Sequence, residues 1–264
     1  MGRAGRGERG VKRGLLLIGG AGPGKDALAL LARGMDLIVA ADSGLEPALA
    51  AGLSPDFVVG DMDSLSDISL LDRFPPSHVL TFPRDKDETD TEIGLRIMKE
   101  RGCADITLAG GGSGRIDHLL GIALFFARAA PPSRWLTDYE EVRLIEREAE
   151  FSGWRGCTVS IFPVGKRAAR MRSEGLQWPL DGLVFRRGFG GISNRATADR
   201  VRITVGVGRL LVIRSLLSDA GHRMPLNDAD YRVDLNDAED RVARNDEDHR
   251  VPPNHAAYRV EQKD

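Results

Sequence analysis

The chain has 264 residues, with 37 basic and 39 acidic side chains and a formal net charge of -2. Its length allows two modest domains, each with its own core. The near-neutral charge excludes the basic stripe that sequence-independent nucleic-acid binding requires, so we expect small molecules as partners and no nucleic acid. Because no run reaches the roughly 20 apolar residues of a membrane helix, and the apolar run at 15–18 is too short for a signal peptide, we expect a cytoplasmic protein with no membrane partner.

The first half of the chain predicts an α/β domain. After a lead rich in Arg and Gly at 1–14, which is predicted to be disordered, apolar runs alternate with helical patterns at βαβ spacing. The runs are almost continuously apolar, as is typical of parallel strands covered on both faces. The predicted strands are 15–18, 37–41, 57–59, 78–82 and 106–109, and the predicted helices are 26–33, 45–51, 65–73, 89–101 and 115–130. We therefore expect an open, mostly parallel sheet with flanking helices over 15–133.

The second half predicts a different architecture. After Pro131-Pro132 the helical periodicity ends, and short strand patterns follow one another with Gly-rich turns between them. The predicted strands are 142–145, 158–162, 183–185, 201–205 and 210–213. This pattern is typical of a small all-β sandwich, which we place at 134–218.

The end of the chain is a nonapeptide repeat in which Asn227, Asn236, Asn245 and Asn254 keep phase. Repeats of this length can form a calcium-binding β-roll, but that fold needs paired glycines, which this repeat lacks. The segment has too few apolar residues to build a core. We therefore predict that the repeat tail, 219–264, is disordered.

Acidic residues gather after two of the predicted strands. One group is Gly60-Asp61-Met62-Asp63-Ser64, and the other is Asp85-Lys86-Asp87-Glu88-Thr89-Asp90. On an extended strand end, Asp61 and Asp63 would point to the same side, with their α-carbons about 7 Å apart. Such carboxylates repel each other unless water, lysine or a divalent metal lies between them. Mg²⁺ carrying phosphates is the usual solution with oxygen ligands.

Two further strand ends carry polar or glycine-rich loops. Asp42-Ser43 follows the second predicted strand, and Gly110-Gly111-Gly112-Ser113-Gly114-Arg115-Ile116-Asp117-His118 follows the fifth. Ligands of open α/β sheets bind at the carboxyl ends of strands, and glycine allows backbone amides to approach a polyanion. Simple helix capping remains an alternative for Asp42 and Ser43, and packing remains one for His118.

The loop Gly19-Gly20-Ala21-Gly22-Pro23-Gly24-Lys25-Asp26 resembles the phosphate-binding P-loop except in its last position. A P-loop has Ser or Thr there, whose hydroxyl binds Mg²⁺, and Asp26 cannot take the same role in the same geometry. We therefore expect no P-loop function, although a P-loop-type small-molecule kinase that depends on Lys25 remains an alternative.

In their order along the chain, these segments resemble the thiamine pyrophosphokinase family. The resemblance rests on Pro55-Asp56-Phe57-Val58-Val59-Gly60-Asp61-Met62-Asp63-Ser64, Lys86-Asp87-Glu88-Thr89-Asp90 and Gly111-Gly112-Ser113-Gly114-Arg115-Ile116-Asp117-His118. It continues through Glu174-Gly175-Leu176-Gln177-Trp178-Pro179-Leu180 and Gly191-Ile192-Ser193-Asn194, and it covers about 15–216.

The resemblance implies transfer of pyrophosphate from ATP to the hydroxyethyl group of thiamine, with thiamine diphosphate and AMP as products. It implies an ATP- and Mg²⁺-binding domain at 15–133, a thiamine-binding sandwich at 134–218, and a homodimer with sites at the subunit interface. The implied Mg²⁺ ligands are Asp42, Asp61, Asp63 and Asp90. The implied ATP-binding residues are Asp42, Ser43, Lys86, Asp87, Thr89, Arg115, Asp117 and His118. The implied thiamine-binding residues are Gln177, Trp178, Ser193 and Asn194.

Two questions stay open at the level of sequence. Either Asp63 or Asp90 is a candidate to accept the hydroxyl proton of thiamine, and the sequence does not choose between them. A thiamine- or nucleotide-binding regulator without turnover is the remaining alternative, although binding alone does not require so many carboxylates.

Overall fold

The computed structural model describes residues 11–217. Its strands are β1 (Lys12–Leu17), β2 (Leu37–Ala41), β3 (Phe57–Gly60), β4 (Val79–Thr81), β5 (Cys103–Ala109), β6 (Arg134–Leu136), β7 (Glu140–Ile145), β8 (Glu148–Phe151), β9 (Thr158–Glu174), β10 (Val184–Arg186), β11 (Gly191–Arg195) and β12 (Val201–Ser215). Its α-helices are α1 (Lys25–Ala32), α2 (Leu45–Ala50), α3 (Asp90–Glu100) and α4 (Ile116–Phe125). Short 3₁₀ helices span Asp42–Gly44, Ile68–Arg73 and Pro76–His78.

The first half is a parallel sheet in the order β6-β5-β1-β2-β3-β4, covered by helices on both faces. Alternate residues of β1 point to opposite faces. Leu16 packs with Ile93 of α3, whereas Leu15 and Leu17 pack with Leu28 of α1. This arrangement brings the carboxyl ends of β1, β2, β3 and β5 to one edge of the sheet, where the predicted site residues follow.

The strands of the second half continue the same sheet. Strand β6 pairs in parallel with β5 and antiparallel with β7, which pairs with β12. The N-terminal part of β12 pairs with β8 and its C-terminal part with β7, with a change of register around Gly208. The strands enclose a separate core that includes Trp154, Ile161 and Ile203. The predicted fold class, an open α/β sheet followed by a domain of strands, is confirmed.

Several predicted bounds were wrong. Strand β1 begins at Lys12, inside the predicted lead, because this residue pairs with Cys103 on β5 and its ammonium donates to the Arg101 carbonyl at 3.0 Å. The predicted helix at 65–73 is a 3₁₀ helix that begins at Ile68, and α4 ends at Phe125. No strand was predicted at β6, β8 or β11, and β12 was predicted as two separate strands.

Two expectations about the termini cannot be compared with the structure in full. The beginning of the predicted lead and the whole of the predicted repeat tail lie outside the described residues. Within the described part of the chain, no helix is long and apolar enough to cross a membrane.

A buried ion cluster joins the two halves of the sheet. Glu141 on β7 lies 2.7 Å from Arg134 on β6, 2.7 Å from Arg214 on β12 and 2.6 Å from Arg143. Burial alone would raise the pKa of Glu141, but the three guanidinium groups outweigh it and hold this pKa well below its usual range. The ionised carboxylate therefore links three strands at the junction.

Candidate active site

Three carboxylates from separate elements meet at the carboxyl edge of the sheet. Asp42 follows β2, Asp61 follows β3, and Asp90 is the first residue of α3. One oxygen from each lies within 4.8 Å of the others. Asp42 and Asp61 follow neighbouring parallel strands, and Asp42 reaches its position with a φ of 49°.

Gly60 gives the three carboxylates room. It has a φ of 141°, and a Cβ at this position would lie 3.1 Å from an Asp90 oxygen and 3.3 Å from the Asp42 Cβ. A larger residue would be strained in its backbone and would crowd two of the three acids. The glycine therefore determines how closely the acids approach one another.

Lys86 neutralises part of this negative charge. Its Nζ lies 3.3 Å from Asp61 Oδ2 and 3.2 Å from Asp90 Oδ1, and its side chain is largely buried. Desolvation raises the pKa of Asp90, Lys86 opposes this rise, and the charges of Asp61 and Asp42 add to it. Burial lowers the pKa of Lys86, but the two aspartates outweigh it and leave this pKa above its usual value.

Asp63 does not join the group, contrary to the geometry expected from the sequence. The intervening Met62 has a φ of 64° and a buried side chain, so the chain turns instead of remaining extended. Asp63 consequently faces outward and pairs with Arg84 at 3.2 Å. The prediction that Asp61 and Asp63 point to one side was therefore wrong.

The three remaining carboxylates fit a hard divalent cation. Asp42 Oδ1 is buried and has no hydrogen-bond partner among the described residues. A buried carboxylate oxygen without a partner is costly, and a cation with oxygen ligands would remove that cost. The donor set consists entirely of carboxylate oxygens, which is the chemistry that Mg²⁺ prefers.

A cavity of about 570 Å³ opens beside the carboxylates. It is bounded by the ends of β1 and β2, the N-terminus of α3, the 111–115 loop and α4. The predicted site residues that line it are Asp42, Ser43, Thr89, Asp90, Arg115, Asp117 and His118. Arg115 and Asp117 form an exposed ion pair at 2.6 Å, whereas Lys86 and Asp87 do not line the cavity.

The N-terminus of α3 is held by a network that reaches the second domain. Glu92 Oε2 accepts hydrogen bonds from the Thr89 amide at 2.8 Å and the Thr89 hydroxyl at 2.9 Å, completing a capping box. Arg128, beyond α4, pairs with the other oxygen of Glu92. Arg209 on β12 donates to the Arg128 carbonyl at 3.4 Å and pairs with Glu146 at 3.6 Å. The position of Asp90 is therefore linked to the second domain.

The P-loop-like segment has a structural role in this fold. Ala21 and Gly112 exchange two backbone hydrogen bonds of 2.8 Å, and the Gly111 amide donates to the Gly19 carbonyl at 2.8 Å. Gly110 allows this close approach, because a Cβ there would lie 2.1 Å from the Ile18 carbonyl oxygen. Lys25 is exposed and does not line the cavity. These contacts favour loop pairing over a P-loop role for the segment.

The predicted thiamine-binding residues lie on the second domain. Trp178 is 57% exposed, and Gln177 and Ser193 are also exposed. Asn194 is buried, and its amide group accepts from the Trp178 amide at 3.1 Å and donates to the Trp178 carbonyl at 2.7 Å. These hydrogen bonds hold the loop that presents Trp178, and the direct contact of Asn194 with thiamine stays a prediction.

Sequence reasoning missed several residues around the cavity. Ser64, Thr91 and the apolar pair Ile122 and Phe125 line it, and Arg128 supports it from outside. The capping box Thr89-x-x-Glu92 was a readable signal. Nothing in the sequence showed that Arg128 would reach Glu92, because the two are 36 residues apart.

The parallel sheet, the converging carboxylates and the glycine-lined cavity define an α/β enzyme of the phosphotransferase class. The chain matches the family model for the catalytic domain of thiamin pyrophosphokinase over 28–132 and the model for its vitamin B1 binding domain over 142–210. Together these models match more than half of the chain. It belongs to the thiamin pyrophosphokinase family.

Solved structures of similar fold support this assignment. Thiamin pyrophosphokinase from Geobacillus thermodenitrificans is 27% identical, with a TM-score of 0.66, and the match covers 80% of this chain and 100% of the other. The enzyme from Bacillus subtilis is 23% identical, with a TM-score of 0.66 and coverage of 79% and 100%. The enzyme from Candida albicans is 17% identical, with a TM-score of 0.58 and coverage of 78% and 89%. The last two comparisons support the fold alone.

No curated protein sequence gives a significant match to the chain. The two domain models nevertheless confirm the family and the thiamine pyrophosphokinase activity expected from the sequence, and they do not favour the P-loop kinase or the regulator without turnover. ATP is the co-substrate of this family.

Proposed function

We propose that the cavity beside Asp42, Asp61 and Asp90 binds Mg²⁺-ATP and transfers its terminal diphosphate to the hydroxyethyl oxygen of thiamine. The convergence of these three carboxylates carries the proposal, together with the buried Asp42 Oδ1, which has no hydrogen-bond partner among residues 11–217. The products are thiamine diphosphate and AMP. We assign the catalytic domain to 15–133 and the thiamine-binding domain to 134–218, in a cytoplasmic protein.

Asp42, Asp61 and Asp90 would hold the metal, which supplies charge neutralisation for the phosphate oxygens when bound. Lys86 contacts two of these carboxylates and orients them. The N-terminus of α3, capped by Thr89, presents backbone amides and a partial positive charge to the cavity. These groups favour a polyanion in the cavity.

Other residues that line the cavity would bind the nucleotide. Ser43, Asp117 and His118 line the cavity together with Arg115, whose guanidinium would exchange its exposed pair with Asp117 for phosphate oxygens. Lys86 and Asp87, which we also expected to contact ATP, lie outside the cavity lining, so we assign Lys86 to the carboxylates instead.

Asp90 is the better candidate to accept the proton of the thiamine hydroxyl. It lines the cavity, whereas Asp63 pairs with Arg84 outside it. A general base must lie within hydrogen-bond reach of its proton, and Asp63 does not line the cavity in which that proton would lie. The Asp63 carboxylate would then act only at the rim.

We further propose that two copies of the chain complete each site. None of the four predicted thiamine-binding residues lines the cavity, although Trp178 offers an exposed ring for a cationic heterocycle. Ile116, Leu120 and Leu124 form an apolar stripe along α4 and are 74%, 59% and 67% exposed. Such a stripe beside the cavity suits a homodimer in which the Trp178 loop of one copy approaches the cavity of the other.

The direct experiment is incubation with ATP, Mg²⁺ and thiamine, with AMP and thiamine diphosphate measured together. The proposal predicts that both form in equal amounts and that omission of thiamine or Mg²⁺ stops the reaction. Formation of ADP with thiamine monophosphate would contradict diphosphate transfer.

A further inference from the structure

A second concave region, which we call the basic hollow, lies on the strand domain. It has a volume of about 590 Å³ and is lined by Lys166, Arg167, Val184, Arg186 and Arg187. It shares no lining residue with the cavity beside the carboxylates and includes none of the predicted thiamine-binding residues. The family assignment therefore does not explain it.

The pairing of β9 and β10 places like charges opposite each other. Arg186 lies directly opposite Arg167 in the antiparallel register. Arg187 and Lys166 are the next residues along the chain from this pair. The Arg187 amide donates to the Lys166 carbonyl at 3.1 Å, which brings a second pair of basic residues together. Like charges directly opposite each other destabilise a sheet, so this pairing costs stability unless an anion lies between the cations.

Within the described part of the chain, these cations have no countercharge. All four side chains are exposed, and within residues 11–217 no carboxylate pairs with them. Two other exposed arginines of the same domain do have acidic partners: Arg200 pairs with Glu150, and Arg202 with Glu148. The four cations of the basic hollow lack the ion pairs that these two arginines have.

We propose that the basic hollow is a binding site for a compact oligophosphate, such as a small molecule with a di- or triphosphate group. Guanidinium groups donate two parallel hydrogen bonds to phosphate oxygens, and Lys166 adds a flexible point charge. Nucleic-acid surfaces are commonly extended basic stripes, whereas these four cations surround one hollow of small-ligand size. The site is independent of the proposed diphosphate transfer, since no residue is shared.

The test is a calorimetric titration of the full chain with inorganic tripolyphosphate at low ionic strength. Arg167→Gln/Arg186→Gln removes one opposed pair, and Lys166→Gln/Arg187→Gln removes the other. Arg200→Gln/Arg202→Gln is the matched control, because it changes the net charge equally on the same domain. ATP and Mg²⁺ are omitted, because the triphosphate of ATP would compete for the basic hollow and Mg²⁺ would bind tripolyphosphate; without the metal, the carboxylates beside the catalytic cavity repel the polyanion.

The proposal predicts that wild type and control bind tripolyphosphate equally, and that each hollow variant binds it at least 10-fold more weakly. Without tripolyphosphate, the hollow variants should unfold at the same temperature as wild type or at a higher one, and their AMP formation should be unchanged. Equal binding by all four proteins, or equal weakening by the control, would overturn the proposal. Tighter binding of single-stranded DNA than of tripolyphosphate at the same residues would overturn the assignment to a small ligand.

Discussion

Asp61 and Asp63 are separated by one residue but have different environments. Met62 turns the backbone between them, so Asp61 faces Asp42 and Asp90 while Asp63 pairs with Arg84. A reading of side-chain alternation along an extended strand cannot show this turn, because it depends on a positive φ at a buried methionine. The four carboxylates were recognisable from sequence. The sequence did not show that Asp63 would lie apart from the other three.

This division predicts unequal effects of three substitutions. Asp42→Asn and Asp90→Asn should each lower kcat for AMP formation by roughly 100-fold or more, because each removes charge at the site where phosphate charge must be neutralised. Asp63→Asn should lower it by less than about 10-fold. The measurement is steady-state AMP release at saturating Mg²⁺, and an Asp63→Asn loss as large as that of Asp90→Asn would contradict the assignment.

Lys25 provides a second test at this scale. Because its side chain is exposed and does not line the cavity, Lys25→Met should keep kcat within about threefold of wild type. Lys86→Met is the informative comparison, since it leaves Asp61 and Asp90 without their shared partner and should lower activity strongly. A Lys25→Met variant as inactive as Lys86→Met would restore the P-loop interpretation.

At the scale of elements, the position of α3 depends on its N-terminal cap. Thr89 and Glu92 satisfy amides at the first turn, and Arg128 holds Glu92 from the segment after α4. The capping box was readable in the sequence, because it depends on residues three apart. The Arg128 contact was not readable, because it depends on how α3 and the segment after α4 lie on the sheet.

Arg128→Ala should therefore weaken the metal site without removing any of its ligands. We expect the Mg²⁺ concentration for half-maximal activity to rise about 10-fold, as is typical when support for a metal ligand is lost. In Arg128→Lys, which keeps the positive charge, the Mg²⁺ concentration for half-maximal activity should stay close to that of wild type. Arg96→Ala is the control, because Arg96 lies on α3 but pairs with Glu88 and Glu100 instead. An unchanged Mg²⁺ dependence in Arg128→Ala would show that the network does not position Asp90.

At the scale of the whole molecule, the sequence predicted two kinds of architecture but not their union in one sheet. Strand β6 has only three residues, one of which is a buried arginine, so its pattern does not indicate a strand. Strand β9 contains several exposed basic residues and was predicted only over its first part. Strand β6 is defined by its neighbouring strands and by the buried Glu141 that partners Arg134, whereas the rest of β9 is defined by its pairing with β10 and β12.

Glu141 tests the importance of the junction. Glu141→Gln should lower the free energy of unfolding by about 3–5 kcal/mol at neutral pH, because it leaves buried arginines without their shared carboxylate. Glu148→Gln, which removes an exposed partner of Arg202, should cost less than about 1 kcal/mol. Urea denaturation of both variants measures the difference.

The comparison of wild type with Glu141→Gln also predicts a pH dependence of stability. The pKa of Glu141 is lower in the folded chain than the unfolded value of about 4.3, so its stabilising effect is fully present above that pH and is lost as the pH falls below it. The difference in stability between wild type and Glu141→Gln should therefore shrink in acid. A difference that grew below pH 4 would contradict the role of the ionised carboxylate.

The apolar stripe of α4 tests the proposed assembly. Leu120→Glu should shift the protein from dimer to monomer in analytical ultracentrifugation and lower thiamine diphosphate formation, because Leu120 is central in the stripe. Ile68→Glu is the matched control, since Ile68 is similarly exposed, at 60%, but lies on the 3₁₀ helix Ile68–Arg73 instead of α4. A Leu120→Glu variant that remained dimeric with full activity would place the interface elsewhere.

The most direct test of the central claim is the fate of the β-phosphorus of ATP. With ATP labelled at this phosphorus, we predict that the label appears in thiamine diphosphate in a thiamine- and Mg²⁺-dependent reaction, and that the released AMP is unlabelled. Recovery of the label in ADP, with an unlabelled phosphate on thiamine, would contradict diphosphate transfer at this site.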